Sequence, residues 1–256
     1  MKILFKLVFF GFVFFSFVNA DESEEIFEVE CEFFEYKNIS YHCEIRNLEI
    51  SARNSKLIFQ NSSKKSVALE KVVSIGIVDS NVPFLPNFSD FVQKFPNLEE
   101  FSIQLSNLKY LERSKFLILK NLKILVLSDN EIKKLPDNIF DDLEDLEFLS
   151  LDSNKITELN ENLLKNLKNL KGFFACCNEI EVLHSNLFEN NQKLQDVILF
   201  GNKIKKIQID FEKLKEIKQI WLNYNVCIDE YFCDYENDCK KKFSVEKFQE
   251  IVRKNC

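Results

Sequence analysis

An α/β solenoid, in which each coil adds one short strand to a parallel sheet, is the fold the chain predicts. Two observations carry it. The first is the line LEFLSLDSNKITEL at 146–159, with apolar residues at Leu146, Leu149, Leu151, Ile156 and Leu159 and an asparagine, Asn154, between the third and the fourth. The second is its recurrence. Twenty-four positions earlier stand Leu122, Leu125, Leu127, Asn130, Ile132 and Leu135, and twenty-four later Leu170, Phe173, Ala175, Asn178, Ile180 and Leu183. Leu194, Val197, Leu199, Asn202, Ile204 and Ile207 follow, then a turn one residue shorter with Ile217, Ile220, Leu222 and Asn225, and Cys227 in the next apolar place. A fixed period of this length marks a repeat architecture.

The spacing has a physical reason. Apolar, exposed, apolar at the middle of each repeat is a short strand with one face inward. One coil cannot bury its own leucines, so coils stack around a continuous core. The inward Asn must be hydrogen-bonded, because a buried unpaired amide costs roughly 1–3 kcal/mol. Its carbonyl and NH2 are placed to join backbone groups of neighbouring coils in a ladder. The pattern L-x-x-L-x-L-x-x-N-x-L is the leucine-rich-repeat signature. The expected fold is a leucine-rich-repeat horseshoe with a parallel concave sheet, about seven coils and disulfide-bonded caps.

Residues 1–20 read as a leader rather than as part of the fold. Lys2 and Lys6 open it, Leu7 to Val18 is apolar, and Val18-Asn19-Ala20 is a small-residue cleavage site. This is the layout of a secretory signal peptide, and its apolar core is short for a membrane span. The expected localisation is secreted and extracellular, with no membrane insertion. Removing Lys2 and Lys6 takes the formal net charge from −7 to −9. An acidic surface does not suit nucleic acid or an anionic membrane as partner. About 236 residues remain, enough for one elongated domain with a sizeable core.

Residues 21–71 form the expected N-terminal cap. The stretch 27–50 reads as a β-hairpin flanked by Cys31 and Cys43, which pair in an oxidising compartment. Closing that loop is worth about 3 kcal/mol on the chain-entropy model. The hairpin would cover the first open edge of the parallel stack. Residues 51–70 are polar and poorly periodic, and are expected to be irregular. The repeats run over 72–226. Val72, Ile75, Ile77, Val82 and Leu85 fit the pattern with Ser80 at the asparagine place, and the next coil has Leu98, Phe101, Ile103, Leu108 and Leu111 with Ser106 there. Serine in place of asparagine predicts a weaker ladder in these two coils. Behind the strands, pairs such as Ile139 with Phe140 and Leu163 with Leu164 predict short turns or irregular helix on the convex side.

Residues 227–256 hold Cys227, Cys233, Cys239 and Cys256 and read as the C-terminal cap. Ser244 caps a helix over 245–254, Phe243 and Phe248 suit a hydrophobic staple, and Val245, Phe248 and Val252 share one face. Two pairings are open: Cys227–Cys256 with Cys233–Cys239, the favoured one, and Cys227–Cys239 with Cys233–Cys256. Zinc is disfavoured because no C-x-x-C pair is present.

The stretches CEFFEYKNISYHCEIRNLEI, FLPNFSDFVQKFPNLEEFSI and NVCIDEYF resemble secreted extracellular leucine-rich-repeat proteins of the 24-residue class, and are similar to the small secreted repeat proteins of insects, dipterans in particular. The resemblance spans 27–256, with Cys233 and Cys239 beyond a two-cysteine cap. It implies extracellular protein binding, in defence, signalling or matrix, and no catalysis. Family members bind very different partners, so it does not name the ligand.

No catalytic or cofactor motif supports an enzyme. There is no G-x-S-x-G, H-E-x-x-H or P-loop lysine. His42 and His184 lack motif partners and read as surface residues, and no cofactor or metal is expected. N-glycosylation triplets occur at Asn38, Asn61 and Asn87, all in the N-terminal third. Cys176 and Cys177 are consecutive; they are two free thiols, a vicinal disulfide, or one half of an intermolecular bridge.

The candidate binding surface follows from strand alternation, which turns the residues between the inward ones toward the concave face. They are small or polar in the first coils (Ser74, Gly76, Ser102) and large and apolar in the last four. Phe148, Phe174, Ile198, Phe200 and Trp221, with Tyr224 nearby, would form one patch rimmed by Asp152, Lys171, Asp196 and Lys218. The function this favours is recognition of a protein or glycan partner. The alternative is a structural protein of a matrix or secretion that assembles with copies of itself.

Overall fold

The structure is a computed structural model describing residues 3–9, 12–18, 25–36, 40–60, 67–234 and 244–256. Its main element is a sheet of ten strands. Eight of them are parallel: Ser40–Arg46, Val72–Val78, Glu100–Gln104, Ile124–Val126, Phe148–Ser150, Gly172–Phe174, Asp196–Ile198 and Gln219–Trp221. The register follows the sequence period, with Leu125, Leu149, Phe173, Val197 and Ile220 side by side and fully buried.

The asparagines form the expected ladder. Asn154 donates to the carbonyls of Leu127 (2.8 Å), Leu151 (3.1 Å) and Asp152 (3.1 Å), and its Oδ1 accepts from the Ile132 amide (3.0 Å). Asn130, Asn178, Asn202 and Asn225 repeat the core of this arrangement one coil apart. Where serine replaces asparagine the ladder thins. Ser80 Oγ reaches the Leu48 amide (3.0 Å), and Ser106 Oγ turns to the Gln104 carbonyl (2.6 Å).

The residue before each ladder position is left-handed in every coil: Asp79, Leu105, Asp129, Ser153, Cys177, Gly201 and Tyr224 all have φ between +49° and +66°. Aspartate and glycine suit that turn, but a leucine does not. Leu105 is 56% exposed, so packing does not compensate. Leu105→Asn is therefore expected to stabilise the chain by about 1 kcal/mol, because the short amide side chain can hydrogen-bond the local backbone and offset the left-handed strain, seen as a higher urea midpoint at unchanged slope. A lower midpoint would show that Leu105 packs against something that stabilises the coil.

The N-terminal cap corrects one expectation. Glu32–Tyr36 and Ser40–Arg46 form the hairpin, and Cys31 and Cys43 are bonded. The second strand, however, runs parallel to Val72–Val78, with Cys43 beside Ile75 and Ile45 beside Ile77. The solenoid thus begins one turn before the repeat pattern does. Residues 51–60 are not irregular: Lys56–Phe59 is a strand pairing with Glu25–Val29, and Leu48, Ile50 and Leu57 are in the core. The length and lettering of this coil depart from the period, so the repeat pattern does not reveal it. The stretch expected to be a leader outside the fold differs from that expectation here: Ile3–Phe9 and Phe12–Val18 pair antiparallel, and the second of them pairs with Glu25–Val29 through backbone hydrogen bonds that any extended segment can make.

At the other end, Tyr231–Cys233 pairs antiparallel with Gln219–Trp221 and closes the sheet edge. Cys227 and Cys256 are bonded. Cys233 is also in a disulfide, and Cys239 and Phe243 lie outside the described residues. The Ser244 hydroxyl caps the helix Val245–Asn255, whose Phe248 packs on Phe211 and Phe232. Gln249, polar yet buried, accepts from the Phe211 amide (2.8 Å) and so ties the cap to the last coil. Among the described residues no helix is long and apolar enough to cross a membrane.

Candidate functional site

The concave face is built by the middle strands, whose outward residues align across coils. Ser150, Phe174, Ile198 and Trp221 stand in one row, and Phe148, Gly172, Asp196 and Gln219 in the next. Gly172 is the reason Phe148 and Phe174 come together. A Cβ at Gly172 would lie 2.7 Å from a ring atom of each, so the two rings close over the bare backbone. Further along, the Phe200 and Trp221 rings are 6.2 Å apart and tilted, and Trp221 meets Tyr231 at 5.7 Å. Trp221 remains 37% exposed, and Phe148, Phe174, Ile198 and Phe200 are half-buried. Gly172→Ala is expected to push both phenylalanine rings aside and cost roughly 1 kcal/mol in stability as an overpacking change, checked by the denaturant midpoint together with partner binding. Unchanged values for both would show that the rings move without consequence.

Five of the six predicted patch residues thus share one strip. Tyr224 does not. It sits in the left-handed turn past the strand, 72% exposed, with its amide on Asp229 Oδ1 (2.7 Å). Tyr231 was missed, because its strand lies beyond the last repeat and nothing in the period announces it.

The predicted rim is tied into the structure. Lys171 pairs with Glu147 (2.6 Å), Lys218 donates to Gln195 (2.8 Å), and Gln219 donates to Asp196 (3.0 Å). Asp152 accepts from the Cys176 amide (2.7 Å) and the Ser150 hydroxyl (3.0 Å). One edge of the sheet carries a column of 24-residue spacing, with Lys123 on Glu99 and Lys171 on Glu147. The opposite flank has Lys155 on Glu131 and Lys203 on Glu179. These exposed pairs contribute little stability each. The signal for these pairs lies in the sequence, as an alternation of Glu and Lys one repeat apart.

The first coils differ from expectation. Ser74, Gly76 and Ser102 are buried rather than open. For Ser74 and Gly76 the cause is His42: it is not a plain surface residue but lies half-buried over both, its Nδ1 2.8 Å from Ser74 Oγ and its ring against the bare Gly76 backbone. A side chain from the cap fills the space that the small residues leave. His184 sits on the far side of its coil, beside Glu158, Glu181 and Lys203.

Cys176 and Cys177 are both free thiols. Burial, and the neighbouring Asp152 carboxylate, push the Cys176 thiol well above its ordinary range, so it stays protonated and inert at neutral pH. Cys177 is the exposed one. Asn38 and Asn61 lie outside the described residues, while Asn87 is half-buried at the head of a short helix.

A leucine-rich-repeat family model matches residues 96–156 and 120–175. No curated protein sequence matches the chain. Among solved structures, the leucine-rich-repeat domain of APL1 is similar at 18% identity and a TM-score of 0.63, covering 78% of this chain and 48% of that one. An LRIM1/APL1C complex matches at 18% identity and 0.64, over 78% and 35%. TLR13 in complex with ssRNA13 matches at 23% and 0.55, over 70% and 25%. The chain spans between a quarter and half of the length of these solved chains. The likeness shows the fold: a leucine-rich-repeat solenoid, an architecture commonly used for binding proteins.

Proposed function

We propose that this chain is a secreted recognition module that binds a protein partner on the aromatic strip of its concave face. The observation that carries this reading is the strip itself: Phe148, Phe174, Ile198, Phe200 and Trp221 across adjacent strands, extended by Tyr231. A contiguous apolar strip that reaches solvent, with Trp and Tyr as anchors, suits an interaction site. The partner chemistry is protein rather than glycan, because the rim groups Asp152, Lys171, Asp196 and Lys218 already have intramolecular partners and leave few polar groups to read sugar hydroxyls. The fold takes part in a complex in LRIM1/APL1C.

In this reading residues 1–20 are removed on secretion, and the acidic chain that remains is unsuited to nucleic acid. The chain acts by binding and performs no catalysis. Defence or extracellular signalling is the setting that suits it, and self-assembly into a matrix is the competing role. Chemical cross-linking of the tagged chain in the secretion of its own tissue tests the choice. Recognition predicts a monomer in sedimentation that captures a distinct protein, whereas mass rising with concentration and only self-cross-links would favour assembly.

A further inference from the structure

The convex side carries a second exposed apolar surface. Leu117 is 46% exposed and Ile118 38%, in the turn after the short helix Arg113–Phe116. They line a depression whose opposite wall is Asn87, Phe88 and Ser89 from the preceding coil, with Lys115 at its edge. The same two residues continue into a neighbouring hollow over Phe95, Pro96 and Leu98. Together the two adjacent side chains make a small apolar patch at the mouth of both hollows, a surface that a bound group can cover.

Asn87 begins the triplet Asn87-Phe88-Ser89, which has the hydroxyl at the second following position that N-glycosylation requires. Its Oδ1 accepts from the Ser89 amide (3.1 Å) and the Ser89 hydroxyl (2.9 Å). Its Nδ2 has no hydrogen-bond partner among the described residues and is not buried. The carbonyl is thus held by the turn, and the nitrogen is left open at the lip of the depression.

We propose that Asn87 carries an N-linked glycan whose core sugars lie over Leu117 and Ile118. This rests on the secretory reading of residues 1–20, since the donor is a lipid-pyrophosphate-linked oligosaccharide of the secretory pathway. In the transfer the Asn87 Nδ2–C1 bond forms and the C1–oxygen bond to the pyrophosphate breaks. The lipid pyrophosphate leaves, and the amide proton passes to base. The apolar C–H faces of the sugars cover the two aliphatic side chains, and Lys115 is in reach of sugar hydroxyls. The patch at Leu117 and Ile118 becomes hydrophilic, and the aromatic strip is left uncovered.

The test uses the full chain expressed in insect cells. Chain recovered from the medium is treated with peptide N-glycosidase, and conversion of Asn87 to aspartate is read by peptide mass. Hydroxyl-radical footprinting then compares the untreated chain with Asn87→Asp, which keeps an oxygen for both Ser89 contacts and removes the attachable nitrogen. Ser89→Ala is the second variant, should the first fail to fold. The expected result is occupancy of Asn87 and labelling of Leu117 and Ile118 about threefold slower in the glycosylated chain, as burial of an exposed patch requires. Secreted chain modified at Asn38 or Asn61 but not at Asn87 overturns this proposal alone. Equal labelling in all forms overturns the cover, including the case where a second copy of the chain protects the patch. Chain retained in cells with all three triplets bare overturns both this proposal and the secretory reading.

Discussion

Replacing Asn154 by alanine lowers the stability of the chain by about 3 kcal/mol, more than any exposed substitution of similar size, because it leaves a buried amide without a partner and a cavity beside it. The amide is that of Ile132, whose N–H is bonded to Asn154 Oδ1 at 3.0 Å. The carbonyls of Leu127 and Leu151 lose one donor each, although Asn130 and Asn178 still reach them. Asn225→Ala is the control. It occupies the last rung, half-buried, where water can replace the lost bonds to the Ile204 amide and the Leu199 carbonyl. Its cost is expected to be about 1 kcal/mol, the net value of a replaceable hydrogen bond. Urea unfolding with a common slope measures both. Equal midpoints for the two variants would sink the ladder as a main source of coil-to-coil stability.

The second large effect concerns binding. Phe174→Ala with Trp221→Ala is expected to weaken capture of the partner about 100-fold or more, the range of two central aromatic anchors. The rings stand in one row of the sheet, two strands apart, with Ile198 between them. Phe174 is half-buried and Trp221 37% exposed, so truncation leaves Phe173 and Ile220 in the core untouched. Melting temperature and secretion should stay close to those of the parent chain. Loss of binding together with loss of folding would mean that the rings belong to the core, and a stable double variant that still binds would place the partner elsewhere.

Much of the solenoid was legible because its signal is periodic. Each coil repeats the same burial problem, so Leu149, Phe173 and Val197 declare their neighbours by spacing alone. The ladder was legible for the same reason. Asn154 can be buried only where a coil on each side offers backbone groups. The N-terminal coil was not legible, since Leu48, Ile50 and Leu57 follow no 24-residue spacing; their amides are held by Ser80, Asn81 and Asn87 of the next coil, positions that no repeat pattern pairs with them. Tyr231 and Gln249 were missed on similar grounds. Each gains its role from a partner, Trp221 or Phe211, that the local sequence does not point to.

By itself the sequence determined the repeat, the inward and outward faces of each strand, and the rows in which outward residues meet, because these follow from a period of two along strands and a fixed period between coils. Only the tertiary structure decided which outward residues reach solvent. Ser74 and Gly76 are covered by His42 from the cap, Gly172 by the rings of Phe148 and Phe174, and Trp221 is left open beside Tyr231. Exposure depends on the sizes and directions of side chains one coil away, and a pattern of apolar and polar letters carries neither.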